Sequence, residues 1–164
     1  MLSAPQSLAP HHQFDVFSCG EPSLDNWLKR RAHANQVSGA SRTFVVCDAG
    51  VVVAYYALAS SAISVAAAAG RFRRNMPDPI PVAVLARLAV AQSHQQRGIG
   101  RALCQDAARR VINAADAIGI RGLIVHALSE SATAFYLRMG FDPSPLEPTT
   151  LMVTLADLRA SLRL

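Results

Sequence analysis

Apolar and polar positions fall in blocks along this chain, and the period of each block predicts an element. Leu85, Leu88 and Val90 are apolar and stop at a polar break, Gln92-Ser93-His94, as a buried strand does. Beyond the break Ile99, Leu103, Ala107 and Val111 recur every four residues, which places them on one face of a helix. That helix is expected to run to about residue 117, with Gly119 as its C-cap. Residues 43–47 and 51–58 are β-type runs parted by Asp48-Ala49-Gly50, so they form an antiparallel hairpin. A third strand is expected over residues 62–65. Residues 122–128 read as a strand, residues 132–138 as a helix with Ser129 as a candidate cap and Glu130 at its start, and Met139-Gly140 closes it. Residues 151–155 read as a closing strand and 156–164 as a short helix. Near the other end, residues 1–13 read as a loose leader. A helix then starts at Ser23 as N-cap, carries Asp25 in its first turn, places Leu24, Trp27, Leu28 and Arg31 at helical spacing, and fades over 36–39. The three prolines within residues 70–81 predict an irregular, non-helical crossing.

Two strand–helix units with short connections imply parallel neighbours in one sheet, while the hairpin is antiparallel. The expected class is therefore α/β of the mixed α+β kind, a central mixed sheet with helices on both faces, in a single domain over 1–164. A chain of 164 residues with 51% hydrophobic and 16% charged residues has enough apolar mass for a core and is not a disordered composition. Residues 51–69 contain no charge and have the length of a membrane span, but they are rich in Ala and Ser and include Tyr55 and Tyr56, which suits a core strand and its connection. There is no secretory signal. Cys19, Cys47 and Cys104 form no C-x-x-C pair, and no zinc spacing is present. A reduced, cytoplasmic protein without membrane or metal is expected.

The candidate chemistry sits between the strand and the helix, at Gln95-Gln96-Arg97-Gly98-Ile99-Gly100. Two glycines let backbone approach a ligand closely. The open N–H groups and positive dipole end of the helix point back at this turn and make an anion site, which Arg97 and Arg101 can reinforce. A Walker loop is excluded because no Gly-Lys-Ser/Thr follows. The dinucleotide fingerprint is excluded because position 103 is Leu. The net charge of +5 and pI of about 9.7 add an anionic partner. Fifteen of the sixteen basic residues are Arg, which suits phosphate, although codon usage in a GC-rich genome gives the same ratio. Eight of the arginines fall within residues 71–110, against two acids.

The Gln-x-x-Gly-x-Gly turn between strand and helix resembles the pyrophosphate motif of the GNAT superfamily of N-acetyltransferases. Phe135-Tyr136-Leu137-Arg138-Met139-Gly140-Phe141 resembles that family's second motif. The resemblance implies a GNAT fold and acetyl-CoA as cosubstrate. It implies that backbone groups of Leu88, Ala89 and Val90 meet the pantetheine arm. It further implies that Gln95, Gln96, Arg97, Gly98, Ile99, Gly100 and Arg101 hold the pyrophosphate and that Tyr136 protonates the departing thiolate. Many relatives have Asn where this chain has Ser129, which leaves Ser129 a shorter candidate cofactor contact. No Asp or Glu lies in residues 80–90 or 122–128, and His126 is the one titratable side chain there. The absence of a carboxylate base favours an α-amine, with a reference pKa of about 7.7–8.0, over a lysine amine at about 10.4.

A narrower resemblance covers residues 14–158. The segment from Phe17 through Gly20, Leu24, Asp25, Trp27 and Leu28, the crossing from Phe72 to Pro81, Arg87-Leu88-Ala89-Val90 and Leu151-Met152-Val153 are similar to the TacT/AtaT-type toxins. That resemblance implies acetylation of the α-amino group of aminoacyl-tRNA and a block of translation. It implies a ribbon-helix-helix antitoxin through which alone the protein meets DNA, and a homodimer. Contacts to tRNA would then come from Lys29, Arg30, Arg31, Arg71, Arg73, Arg74 and Arg87. Two alternatives stay open: an ordinary acetyltransferase acting on a small amine or a protein N-terminus, and a non-catalytic acetyl-CoA-binding module acting with an antitoxin in DNA binding.

Overall fold

The computed structural model describes residues 1–162. Seven strands, β1 (Gln6–Ser7), β2 (Arg42–Asp48), β3 (Val51–Ile63), β4 (Ile80–Val90), β5 (Gly122–His126), β6 (Asp142–Pro143) and β7 (Thr150–Thr154), form one mixed sheet in the order β1-β2-β3-β4-β5-β7-β6. The residues group into two compact units, one of 1–59 with 86–107 and the other of 60–85 with 108–164.

In the first unit, β1 (Gln6–Ser7) pairs antiparallel with β2 (Arg42–Asp48), which pairs antiparallel with β3 (Val51–Ile63). The β2–β3 turn places Ala49 at φ 52° and Gly50 at φ 81°, so two left-handed residues in succession fold the hairpin tightly. Residues 1–13 are not a loose leader. Gln6 and Ser7 extend the sheet beside β2, Val52 N–H donates to Gln13 O, and Leu8 and His12 are buried. Backbone pairing, which a polar composition does not reveal, fixes this segment. The helix expected with Ser23 as N-cap starts two residues earlier: Glu21 is the N-cap and Pro22 opens α1 (Pro22–Arg30), where its missing N–H costs nothing. Arg31 breaks the helix, and α2 (Ala32–Ser38) ends at Gly39 with φ 83°. The buried aromatic core holds Phe17, Tyr55 and Tyr56. Tyr55 Oη donates to Leu24 O at 2.6 Å, and Tyr56 Oη bonds the Asp106 carboxylate, tying β3 to the long helix.

The uncharged stretch is strand, since β3 continues to Ile63. The separate strand expected over 62–65 is thus the end of β3, followed by a single 3₁₀ turn, Val65–Ala67. Among the described residues no helix is long and apolar enough to cross a membrane. In the second unit, α3 (Gly70–Arg73) forms one helical turn ahead of the prolines, so the crossing is helical where proline does not yet intervene. Its Phe72 packs with Ala68, Ile80, Val82, Ile124 and Met152 in a dense cluster. β4 (Ile80–Val90) runs parallel to β5 (Gly122–His126), with Ala83 opposite Leu123, as the strand–helix units predicted.

Between these strands, α4 (Ile99–Ala114) buries the predicted face of Ile99, Leu103, Ala107 and Val111. It stops before residue 117, and its end tightens through Asp116 N–H to Asn113 O and Ala117 N–H to Ala114 O; Gly119 has no left-handed φ and is not a C-cap. Gly122 is required by close approach, because a Cβ there would lie 2.1 Å from Val153 O. The remaining elements are α5 (Glu130–Arg138), β6 (Asp142–Pro143), β7 (Thr150–Thr154) and α6 (Leu155–Leu162); β7 lies antiparallel to both β5 and β6. Residues 163 and 164 of the expected last helix lie outside the described residues.

Candidate active site

The first unit carries an anion cradle. After β4 a 3₁₀ turn, Gln92–His94, redirects the chain, and Gln92 N–H donates to Ser18 O at 2.8 Å. The Gln95 side chain is spent on the fold: its Nε2 donates to Val90 O at 2.9 Å and to Cys19 O at 2.8 Å. Gln95 therefore anchors the cradle rather than lining it, and occupies one face of the Val90 carbonyl. On the other side His94 Nε2 lies 2.8 Å from Asp48 Oδ2. That hydrogen bond from His94 is the main reason the Asp48 carboxyl sits below its ordinary range.

Gln96 at φ 64° and Gly98 at φ 79° are both left-handed, one residue apart. Left-handed residues at alternate positions curl the backbone so that successive N–H groups converge on an anion. The first helical bond is Ala102 N–H to Gly98 O at 3.1 Å, so Ile99, Gly100 and Arg101 keep their N–H groups open. Arg97 and Arg101 are exposed and make no ion pair or side-chain hydrogen bond among the described residues. Nearby on β4, Ala89 is buried and Leu88 and Val90 are half-buried.

The second unit holds Ser129 and Tyr136. Ser129 caps α5, accepting from Ala132 N–H at 3.1 Å, so its oxygen serves the helix. Tyr136 is 6% exposed. Its ring is clamped edge-on between Phe135 at 5.0 Å and Phe141 at 5.4 Å. The same F-Y-x-x-x-G-F sequence that predicted the role thus supplies the clamp, and Gly140 at φ 98° turns the chain so that Phe141 returns to the ring. The cysteines offer no competing nucleophile. Burial pushes the Cys19 thiol up to about 11 and Cys104 up to about 12, and also raises Cys47.

Residues 39–143 match the family model described as an acetyltransferase (GNAT) domain. The chain is 51% identical over 158 residues to the tRNA-acetylating toxin of Mycobacterium tuberculosis, covering 96% of this chain and 95% of that one. The chain belongs to the GNAT acetyltransferase family. It is also similar to solved toxin structures. AtaT complexed with acetyl-methionyl-tRNAfMet superposes with a TM-score of 0.90 at 28% identity, over 98% of both chains. A tyrosine-to-phenylalanine mutant of AtaT, bound to the C-terminus of the antitoxin AtaR and acetyl-CoA, superposes with a TM-score of 0.83 at 27% identity, over 100% of this chain and 99% of that one.

A GNAT acetyltransferase uses acetyl-CoA, and the cradle fits its pyrophosphate on three counts: open N–H groups, left-handed residues beneath them, and two unpaired guanidinium groups. No group of three or more His, Cys, Asp or Glu side chains that could hold a metal is found among the described residues. The basic residues divide by environment. Lys29, Arg30 and Arg31 are exposed at the end of α1, where the helix dipole favours them. Arg73 and Arg74 are exposed without a side-chain partner among the described residues, whereas Arg71 is paired to Asp157 at 2.9 Å.

Arg87 differs from all of these. It is half-buried, its Nη1 donates to Ala86 O at 2.7 Å, and its guanidinium lies 5.3 Å above the Trp27 ring, which stacks in turn on Tyr55. Sequence reasoning placed Arg87 and Trp27 in separate elements and missed the column. An aromatic on the helix before the sheet was the available signal.

Proposed function

We propose that this chain, as one catalytic domain, transfers acetyl from acetyl-CoA to the α-amino group of aminoacyl-tRNA and so blocks translation. The observation that carries the polyanionic substrate is the pair Arg73-Arg74, exposed and without carboxylate partners among the described residues while its neighbour Arg71 is neutralised by Asp157. An Arg pair left open beside a proline-stiffened crossing is a ready phosphate contact. The 51% identical relative, named as a tRNA-acetylating toxin, supports the substrate, and the AtaT complexes support acetyl-CoA and an antitoxin partner.

In this reading Gln96–Arg101 hold the pyrophosphate, and β4 presents backbone groups at Leu88, Ala89 and Val90 to the arm. The phenol of Tyr136 donates its proton to the departing thiolate. Lys29, Arg30, Arg31, Arg73, Arg74 and the stacked Arg87 meet tRNA, with Arg71 available only when it leaves Asp157. The protein works in the cytoplasm as a homodimer. It is neutralised by a ribbon-helix-helix antitoxin, and meets DNA only through that partner.

The test is transfer of labelled acetyl from acetyl-CoA to a pool of charged tRNAs. Label on the aminoacyl group is expected; transfer to free amines or peptides alone would replace this substrate with a small amine or a protein N-terminus. No turnover with any amine would leave an acetyl-CoA-binding module. Reversing charge in Arg73→Glu/Arg74→Glu is expected to weaken tRNA binding and lower its salt slope by about one per residue, with acetyl-CoA affinity unchanged. Unchanged tRNA affinity, followed by filter binding, removes the pair from the interface.

A further inference from the structure

Acyl transfer to an amine needs a group to take the proton from nitrogen, and residues 80–90 and 122–128 contain no carboxylate. The second unit holds a different arrangement at the end of β5. His126 is opposite Thr150 in the β5–β7 register, and its Nδ1 lies 3.0 Å from Thr150 Oγ1. Thr150 is buried, and its hydroxyl donates to Glu147 Oε2 at 3.4 Å.

The frame beneath these groups is rigid. Buried Ser144 donates its hydroxyl to Ala67 O at 2.5 Å and accepts from the N–H groups of Leu146 and Glu147. Thr150 N–H donates to Glu147 O at 2.9 Å, and Ala127 N–H donates to Thr149 O at 2.8 Å.

One polarity of this chain of bonds defines an imidazole tautomer suited to a base. A carboxylate only accepts, so the Thr150 hydroxyl hydrogen points to Glu147. The Thr150 oxygen then accepts from His126 Nδ1–H. That leaves Nε2 as the unprotonated nitrogen, on a side chain that is exposed and has no other hydrogen-bond partner among the described residues.

The ring sits at the C-terminal end of a strand with a parallel neighbour, where open α/β sheets present ligands. Three residues further on, Ser129 caps the helix that carries Tyr136. We propose that His126 is the general base of the transfer, oriented by Thr150 and Glu147, which act as positioning residues.

The step balances. The substrate nitrogen forms a bond to the acetyl carbon, and its proton passes to His126 Nε2. The carbon–sulfur bond breaks, and the thiolate takes the Tyr136 proton. Solvent then returns His126 and Tyr136 to their starting states. The charged groups on the elements around β5 and β7 are few. Glu147 faces the ring through Thr150, Arg71 and Asp157 pair with each other, Arg159 lies 3.9 Å from Asp116, Arg121 donates to the Arg71 and Phe72 carbonyls, α3 also carries Arg73, β6 carries Asp142, and α5 carries Glu130 and Arg138.

The inference rests on the acetyltransferase reading, and its test is run on whichever amine the wild type acetylates, so that a failed tRNA assignment and a failed base are separate results. His126→Gln is expected to lower kcat about a hundredfold, with KM for acetyl-CoA unchanged. Thr150→Val, which keeps the branched shape but not the hydroxyl, is expected to lower kcat on the order of tenfold. Nitrogen-15 NMR of the wild-type imidazole supplies a readout independent of activity and of how the variants fold, with the proton expected on Nδ1. A His126→Gln enzyme within twofold of wild type at every pH, or a ring protonated on Nε2 in its neutral form, overturns the proposal.

Discussion

At the head of α4 the working groups are backbone donors. Ile99, Gly100 and Arg101 offer N–H groups because a helix start leaves them open, and Gln96 and Gly98 offer only a conformation. At the end of β5 and along α5 the groups proposed to act are single side-chain atoms, the Tyr136 hydroxyl and the His126 ring, held by packing and by the strand register. A backbone cradle tolerates changes of side chain as long as the left-handed positions survive. A phenol tolerates no replacement without a hydroxyl. The two regions should therefore respond to mutation in opposite ways, the first in affinity and the second in rate.

The largest effect tests the second region. Tyr136→Phe keeps the clamped ring and removes only the proton donor, so single-turnover acetyl transfer should fall at least about a hundredfold while acetyl-CoA still binds. Activity near wild type would end the assignment of the acid. The next effect tests the first region. Gly98→Val forces a β-branched side chain to φ 79°, and a residue of that shape in left-handed backbone costs roughly 1–2 kcal/mol. Isothermal titration should show about tenfold weaker acetyl-CoA binding, on the scale of that strain, with kcat at saturating cosubstrate changed far less. A loss confined to kcat would reverse the contrast.

A smaller effect separates helix support from cofactor contact. Ser129→Ala removes the cap of α5 and should lower stability by about 1 kcal/mol, measured by urea unfolding. Loss of acetyl-CoA affinity without loss of stability would make Ser129 a ligand contact instead.

The smallest effect concerns the support of the cradle. Asp48 is ionised more readily in the folded protein than in the unfolded chain, mainly through its hydrogen bond with His94. Its contribution is present above the unfolded carboxyl value of about 3.9 and is lost as pH falls through the lower folded value. Asp48→Asn should flatten the acid side of the stability curve only in that window. An unaltered acid transition would show that His94 holds the turn without this partner.

Local physics made much of this legible in one dimension. The four-residue period of Ile99, Leu103, Ala107 and Val111 specified the helix and its buried face, and the glycine turn before it specified an anion site, because an open helix start is a property of adjacent residues. The strand–helix spacing specified the parallel pair β4–β5. The Tyr136 clamp was contained in seven consecutive residues.

Tertiary structure decided what depends on partners remote in sequence. Residues 1–13 read as a leader because their order comes from the β2 backbone and not from their own side chains. Gln95 read as a ligand contact, and its amide is instead consumed by Val90 and by Cys19, 76 residues away. The arginines read as one basic class, and the fold divided them into a stacked Arg87, a neutralised Arg71 and an open Arg73-Arg74. His126 could be named as a titratable side chain, but its hydrogen-bond partner Thr150, 24 residues later, was supplied by strand register. Sequence determines the groups and their local conformation; hydrogen-bond polarity and charge pairing are properties of neighbours, and only folding chooses the neighbours.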